Sequence, residues 1–122
     1  MITGRFSPAN RLLILLGGLC GAAGVALSAF AAHHGGAFVG TAANFLLFHA
    51  SALLAVGLIG EKRWLHLGGF ALAVGLALFC GDLLSRDLLG SRLFPFAAPA
   101  GGTLLIAGWL LVAVSALVRP KA

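Results

Sequence analysis

The chain has 122 residues, 61% of them hydrophobic and only 9% charged, with 18 glycines and a formal net charge of +5. A soluble domain carries roughly a quarter charged residues, so this composition excludes a surface bathed in water and suits one bathed in lipid. The eight Lys and Arg lie between apolar runs and not along one polar face, which argues against nucleic acid as a partner and makes the lipid bilayer the expected one.

At about 20 residues per crossing, the length allows four spans. The first run, residues 12–32, is uncharged and follows Arg5 and Arg11. Ala29-Phe30-Ala31 resembles a signal-peptide cleavage site, but the run is longer than the usual apolar region of about 7–15 residues. The bulky Leu19 before Cys20 also spoils a lipoprotein box, so this first helix is expected to be retained. The second run, residues 41–59, follows Gly35-Gly36 and closes at Gly60-Glu61-Lys62-Arg63. The third, residues 64–84, opens with Trp64 at an interfacial position. The fourth, residues 99–118, opens with Pro99, which fits a first helical turn. Residues 83–93 read as interfacial, with Leu84, Leu88 and Leu89 toward lipid and Arg86, Asp87 and Arg92 toward water.

The fold expected is all-α: one integral membrane domain over residues 1–122, a bundle of four transmembrane helices. Arg5, Arg11, Lys62, Arg63, Arg119 and Lys121 fall on one side and only Arg86 and Arg92 on the other. The positive-inside rule then predicts cytoplasmic N and C termini.

Helices in lipid associate through close packing that small residues permit. Gly17, Gly21, Gly24 and Ser28 draw one stripe down the first helix, and Gly68 and Gly75 continue the pattern on the third. The stripe reads as an intramolecular seam, with a homodimer face as the alternative. By residue count Cys20 and Cys80 differ in depth by about 10 Å, too far for a disulfide.

Polar groups inside a membrane need partners. The four histidines do not share a level, and no zinc-type spacing occurs, so no metal, haem or other cofactor is expected. His33, His34, Asn44, Asp82, Ser85 and Arg86 do gather toward one end, with His49 about 12 Å below it. Asp82 and Arg86, four apart, can pair along one helix face. That pair reads as an interfacial neutralisation, with Asn44 capping or bridging helices, and removing it should then cost about 1 kcal/mol or less. The sharper reading is an ion-handling site of Asp82 with His33 or His49. No nucleophile elbow, phosphate loop or carboxylate pair is present, so no catalytic residue and no enzyme activity are expected.

Four segments occur in a recognisable order: "GVALSAFAAH" from Gly24, "NFLLFHASALL" from Asn44, "LFCGDLL" from Leu78 and "APAGGTLLIAGWLL" from Ala98. Together they resemble the YgdD-like family of small bacterial inner-membrane proteins, also known as domain of unknown function 423. The resemblance implies a four-helix protein of the plasma membrane. It maps the family's recurring positions onto His33, His49, Gly81, Pro99, Gly101, Gly102, Gly108 and Trp109. Where the family commonly has Gly-Ala-Phe-Gly-Ala-His, this chain has Ser28 to His33, and Asn44-Phe45 stands where the family commonly has Tyr-Gln.

The function expected is that of a non-enzymatic structural or accessory component, acting through helix contacts with itself or with a membrane-protein partner. The alternative is a small dimeric transporter or channel for ions, protons or small molecules. Small multidrug exporters need a buried carboxylate in the first helix, and residues 12–32 contain none.

Overall fold

A computed structural model describes residues 6–59 and 61–118. Arg5, Gly60, Arg119 and Lys121, which entered the charge count and the loop boundaries above, lie outside the described residues. Four helices follow in order: α1 (Pro8–His34), α2 (Ala37–Ile59), α3 (Arg63–Leu88) and α4 (Ala97–Ser115). All four are long and apolar enough to cross a membrane. Even the 19 residues of α4 reach about 28 Å, close to the thickness of the hydrocarbon core.

The helix ends differ from the hydropathy boundaries for local reasons. Ser7 has extended backbone and its Oγ accepts from Asn10 N at 3.2 Å, with Pro8 in the first turn. That cap starts α1 four residues before the apolar run and brings Arg11 into the helix. Gly35 (φ 74°) and Gly36 (φ 99°) end it. These left-handed conformations suit glycine and reverse the chain within two residues. α3 does not stop at Leu84. It runs through Asp82, Ser85, Arg86 and Asp87 to Leu88, because those polar side chains find partners on neighbouring segments.

The helices alternate in direction, and α1 packs mainly on α2 and α4 mainly on α3, with α2 against α3 joining the two hairpins. Among the described residues α1 and α4 make no backbone approach, so the helices form an open row, not a closed ring. Leu13, Leu46, Leu53, Val56, Leu72, Leu76 and Leu105 fill the shared core. Large apolar residues such as Leu15, Leu19, Val25, Phe48, Val74, Ile106 and Leu110 are exposed on the outside. In water so much exposed apolar surface would aggregate; here it is the lipid contact.

Glycines set the spacing within each hairpin. A Cβ on Gly17 would lie 3.0 Å from Ala50 O, and one on Gly24 would lie 2.8 Å from Leu47 Cγ. The stripe on α1 is therefore an intramolecular seam against α2, not a free dimer face. Gly21, its central member, has only an ordinary 3.6 Å contact with Ala50 Cβ, and Ser28 is half-buried. Across the α3–α4 seam, a Cβ on Gly68 would lie 3.1 Å from Gly108 O and one on Gly75 would lie 2.8 Å from Gly101 O. A Cβ on Gly57 of α2, not singled out in the sequence, would lie 3.0 Å from Asn10 O of α1.

Cys20 and Cys80 are both free. They line the same apolar cleft of about 330 Å³ between α1 and α3, floored by Leu46 and Leu53. They are nearer in level than residue counting suggests, because α1 begins earlier than its apolar run.

Candidate functional site

Buried polar side chains occur at three levels of the bundle. At the end of the bundle where α3 finishes, the fully buried Asp82 accepts a hydrogen bond from Leu93 N at 2.8 Å through Oδ1. Its Oδ2 lies 2.8 Å from Arg86 Nη2, across one helical turn. No aligned hydrogen bond closes that contact, since Asp82 Oδ2 and Arg86 Nε have no hydrogen-bond partner; the attraction is coulombic. The Arg86 guanidinium also lies 5.4 Å over the Phe38 ring, a cation–π contact with the start of α2.

Two neighbours complete this clasp. Ser85 Oγ donates to Ser91 O at 2.7 Å, so Asp82 and Ser85 together hold the loop leading to α4. Asp87 Oδ2 accepts from Val39 N at 2.7 Å. Val39 is the third residue of α2, where an N–H lacks a helical partner and the helix dipole favours a carboxylate. α2 is thus capped by a residue 48 positions away. A Cβ on Gly36 would fall 2.8 Å from that same oxygen, which is a second reason for glycine there.

At the middle level, His49 on α2 is 6% exposed and both its ring nitrogens are engaged. Nδ1 bonds Phe45 O at 2.7 Å, and Nε2 accepts from Trp109 Nε1 on α4 at 3.1 Å. Indole N–H is only a donor, so the pattern assigns the neutral tautomer with its proton on Nδ1. This bond links two helices that otherwise lie apart. Beside it Phe45, Phe79, Gly102, Ile106 and Trp109 line a cleft of about 300 Å³. In a cycle of Trp109→Phe and His49→Leu, the coupling read from unfolding in detergent should be about 0.6–1.7 kcal/mol, the range for side-chain hydrogen bonds between membrane helices. Strict additivity would show that the bond does not form.

Toward the opposite end, where α1 begins, Asn10 is fully buried. Its Nδ2 donates to Gly57 O at 2.9 Å, while its Oδ1 accepts from Ser7 Oγ and from His66 Nε2, the latter at 3.1 Å. Asn10 therefore ties α1, α2 and α3 together. Close by, Lys62 Nζ donates to Ser115 O at 3.3 Å, placing a cation at the C-terminal end of α4.

The polar residues grouped by their sequence level do not form one site. Of His33, Asn44, His49, Asp82 and Arg86, only Asp82 and Arg86 are in contact. His33 is exposed at the end of α1, and Asn44 points away from the bundle on the face of α2 opposite His49. Asn44 neither caps nor bridges; Asp87 does the capping. The pair at Asp82 is also not an exposed one, since the carboxylate has no accessible surface. Among the described residues no three His, Cys, Asp or Glu are arranged to hold a metal.

Sequence reasoning missed Asn10 and found no partner for Asp87 or Ser85. Asn10 had a signal, a polar residue one position before Arg11 at the mouth of the first run, but it read as part of the tail. The bonds at Asp87 and Ser85 join segments far apart or inside a loop and leave no local pattern.

Residues 20–102 match the model of a family described as a protein of unknown function, DUF423. The chain is 32% identical over 119 residues to the UPF0382 inner membrane protein YgdD of Escherichia coli K12, covering 88% of this chain and 91% of the relative. It is 30% identical over 115 residues to a UPF0382 membrane protein of Staphylococcus haemolyticus, covering 86% and 94%. A UPF0382 membrane protein of Haemophilus influenzae is 32% identical over 112 residues, covering 84% and 87%. No solved structure matches the chain.

Proposed function

The chain belongs to the DUF423 family of inner-membrane proteins, and from that premise we propose that it is a non-enzymatic structural or accessory component acting through helix–helix contacts. The observation that supports this reading is where the buried polar groups go. Asn10, His49, Asp82, Ser85 and Ser115 each make at least one hydrogen bond inside the chain. A transport path needs polar groups presented to the cargo, whereas these groups, apart from Ser115 with its bond inside α4, hold helices and loops to one another. The cleft between α1 and α3 is lined by apolar side chains, and in the cleft beside His49 both imidazole nitrogens are already taken by Phe45 O and Trp109. In the same reading both termini are cytoplasmic, because Arg11, Lys62 and Arg63 gather at one end of the bundle against Arg86 and Arg92 at the other.

The test is purification from native membranes in mild detergent, with identification of everything recovered in stoichiometric amount. A reproducible partner, or a defined assembly of the chain with itself, is the expected result. Purified protein that carries an ion gradient across liposomes, and loses that flux in Asp82→Asn while remaining folded, would overturn it. Protease cleavage of the C-terminal tail in inside-out vesicles, but not in right-side-out ones, checks the orientation.

A further inference from the structure

α2 carries four polar side chains within its span, and only His49 faces the bundle. Thr41, Asn44 and Ser51 lie on the opposite face with Phe48 and Ala55, all exposed. These five follow one another at intervals of three, four, three and four, a seam of the kind that pairs two helices with a left-handed crossing. Thr41 Oγ1 donates to Ala37 O at 3.2 Å within its own helix. Among the described residues, the Asn44 carboxamide makes no hydrogen bond. It lies about 10 Å along α2 from the outer end, so its short side chain does not reach the headgroups. An amide there faces acyl chains that offer neither donor nor acceptor.

We infer that the outward face of α2 is the contact between two copies of this chain, with Asn44 of one copy hydrogen-bonded to Asn44 of the other. The inference rests on the helix-contact reading above and supplies its partner. Copies inserted in the same orientation meet with α2 parallel to α2 about a two-fold axis along the membrane normal. Each residue then meets its own equivalent at the same depth. A residue on that axis has to be its own complement. A charged group would repel itself, but a carboxamide both donates and accepts. Ala55 and Ser51 are small enough for close approach, and Gly40 at the edge of the seam has open space beside it. The other small-residue stripe, on α1, is already closed by α2.

The experiment uses the full chain in native membranes, with Cys20→Ala and Cys80→Ala removing the native thiols and Ala55→Cys adding one to the seam. Copper-phenanthroline oxidation should give a disulfide-linked dimer. Asn44→Leu in the same chain should lower its yield roughly tenfold, the scale of one interhelical hydrogen bond. Ile106→Cys, on the exposed face of α4, should give none. Because the cysteine replacements touch the core cleft, the otherwise unaltered chain is also labelled and reconstituted at low density in liposomes. It should bleach in two steps, and its Asn44→Leu variant in one. Single-step bleaching of the parent, or a cross-link indifferent to Asn44→Leu, would overturn the pairing. A cross-link from Ala55→Cys to a different protein would also overturn it while leaving the accessory reading intact. Ion flux from a two-copy assembly would defeat the accessory reading and leave the pairing standing.

Discussion

Gly75→Leu should leave no folded protein, and Gly75→Ala should already cost about 1–3 kcal/mol, the usual penalty of overpacking a well-fitted core. A Cβ at this position would sit 2.8 Å from Gly101 O and 2.9 Å from Leu105 N. Both are backbone atoms of α4, so no rotamer change relieves the clash and the helix itself has to move. In lipid, that movement gives up the close packing on which helix association depends. Gly101→Ala should act from the other side of the same seam, since its Cβ would meet Gly75 O at 2.8 Å. Gly18→Ala provides the contrast, because nothing lies within 4 Å of the added methyl. It should be neutral, or stabilising by a fraction of the roughly 1 kcal/mol by which alanine exceeds glycine in helices. Monodisperse yield and the thermal midpoint in detergent measure both classes. A Gly75→Leu protein as stable as the parent would refute the seam.

Asp82→Leu should destabilise the protein by about 3 kcal/mol, well above the cost of losing an exposed ion pair. The substitution removes the acceptor for Leu93 N and leaves Arg86 without its counter-charge. Arg86 keeps 24% of its side-chain surface accessible, which lets water share its charge and holds the figure at the low end for a broken buried pair. Asp82→Asn retains an oxygen for Leu93 N and should lose only about 1–2 kcal/mol. The ranking of Leu above Asn separates loop anchoring from charge pairing. Equal losses would show that the hydrogen bond to the loop contributes nothing. In Asp82→Leu, hydrogen exchange at Leu93 should rise well before the helices open, because the loop is the first segment released.

Much of the architecture follows from transfer free energy alone. Four stretches too apolar for water, separated by short charged or glycine-rich links, have to become four crossing helices, since only a helix satisfies its own backbone in lipid. Their ends were less legible. Hydropathy falls at Asp82, but α3 continues for six more residues because Asp82, Ser85 and Asp87 have partners on other segments. Where α1 starts was decided by the Ser7 cap, which a hydropathy profile does not register. The pairing of Asp82 with Arg86 was visible as a spacing of four, but its burial was not, because burial depends on the loop that folds over it.

The amino-acid sequence by itself determined the membrane, the number of crossings, the glycine faces and membership in a family. The first three depend on composition or on periodicity within one segment, and the family on the order of matching segments along most of the chain. Only the tertiary structure decided what each polar residue does. His49 meets Trp109 across 60 positions, Asp87 caps a helix 48 positions away and Asn10 reaches Gly57 across 47. Such bonds are set by which helix faces come together, and in lipid that choice falls to the close fit of glycine against backbone. Asn44 received no partner from that choice, and its outward carboxamide marks where the chain's own fold stops satisfying its polar groups.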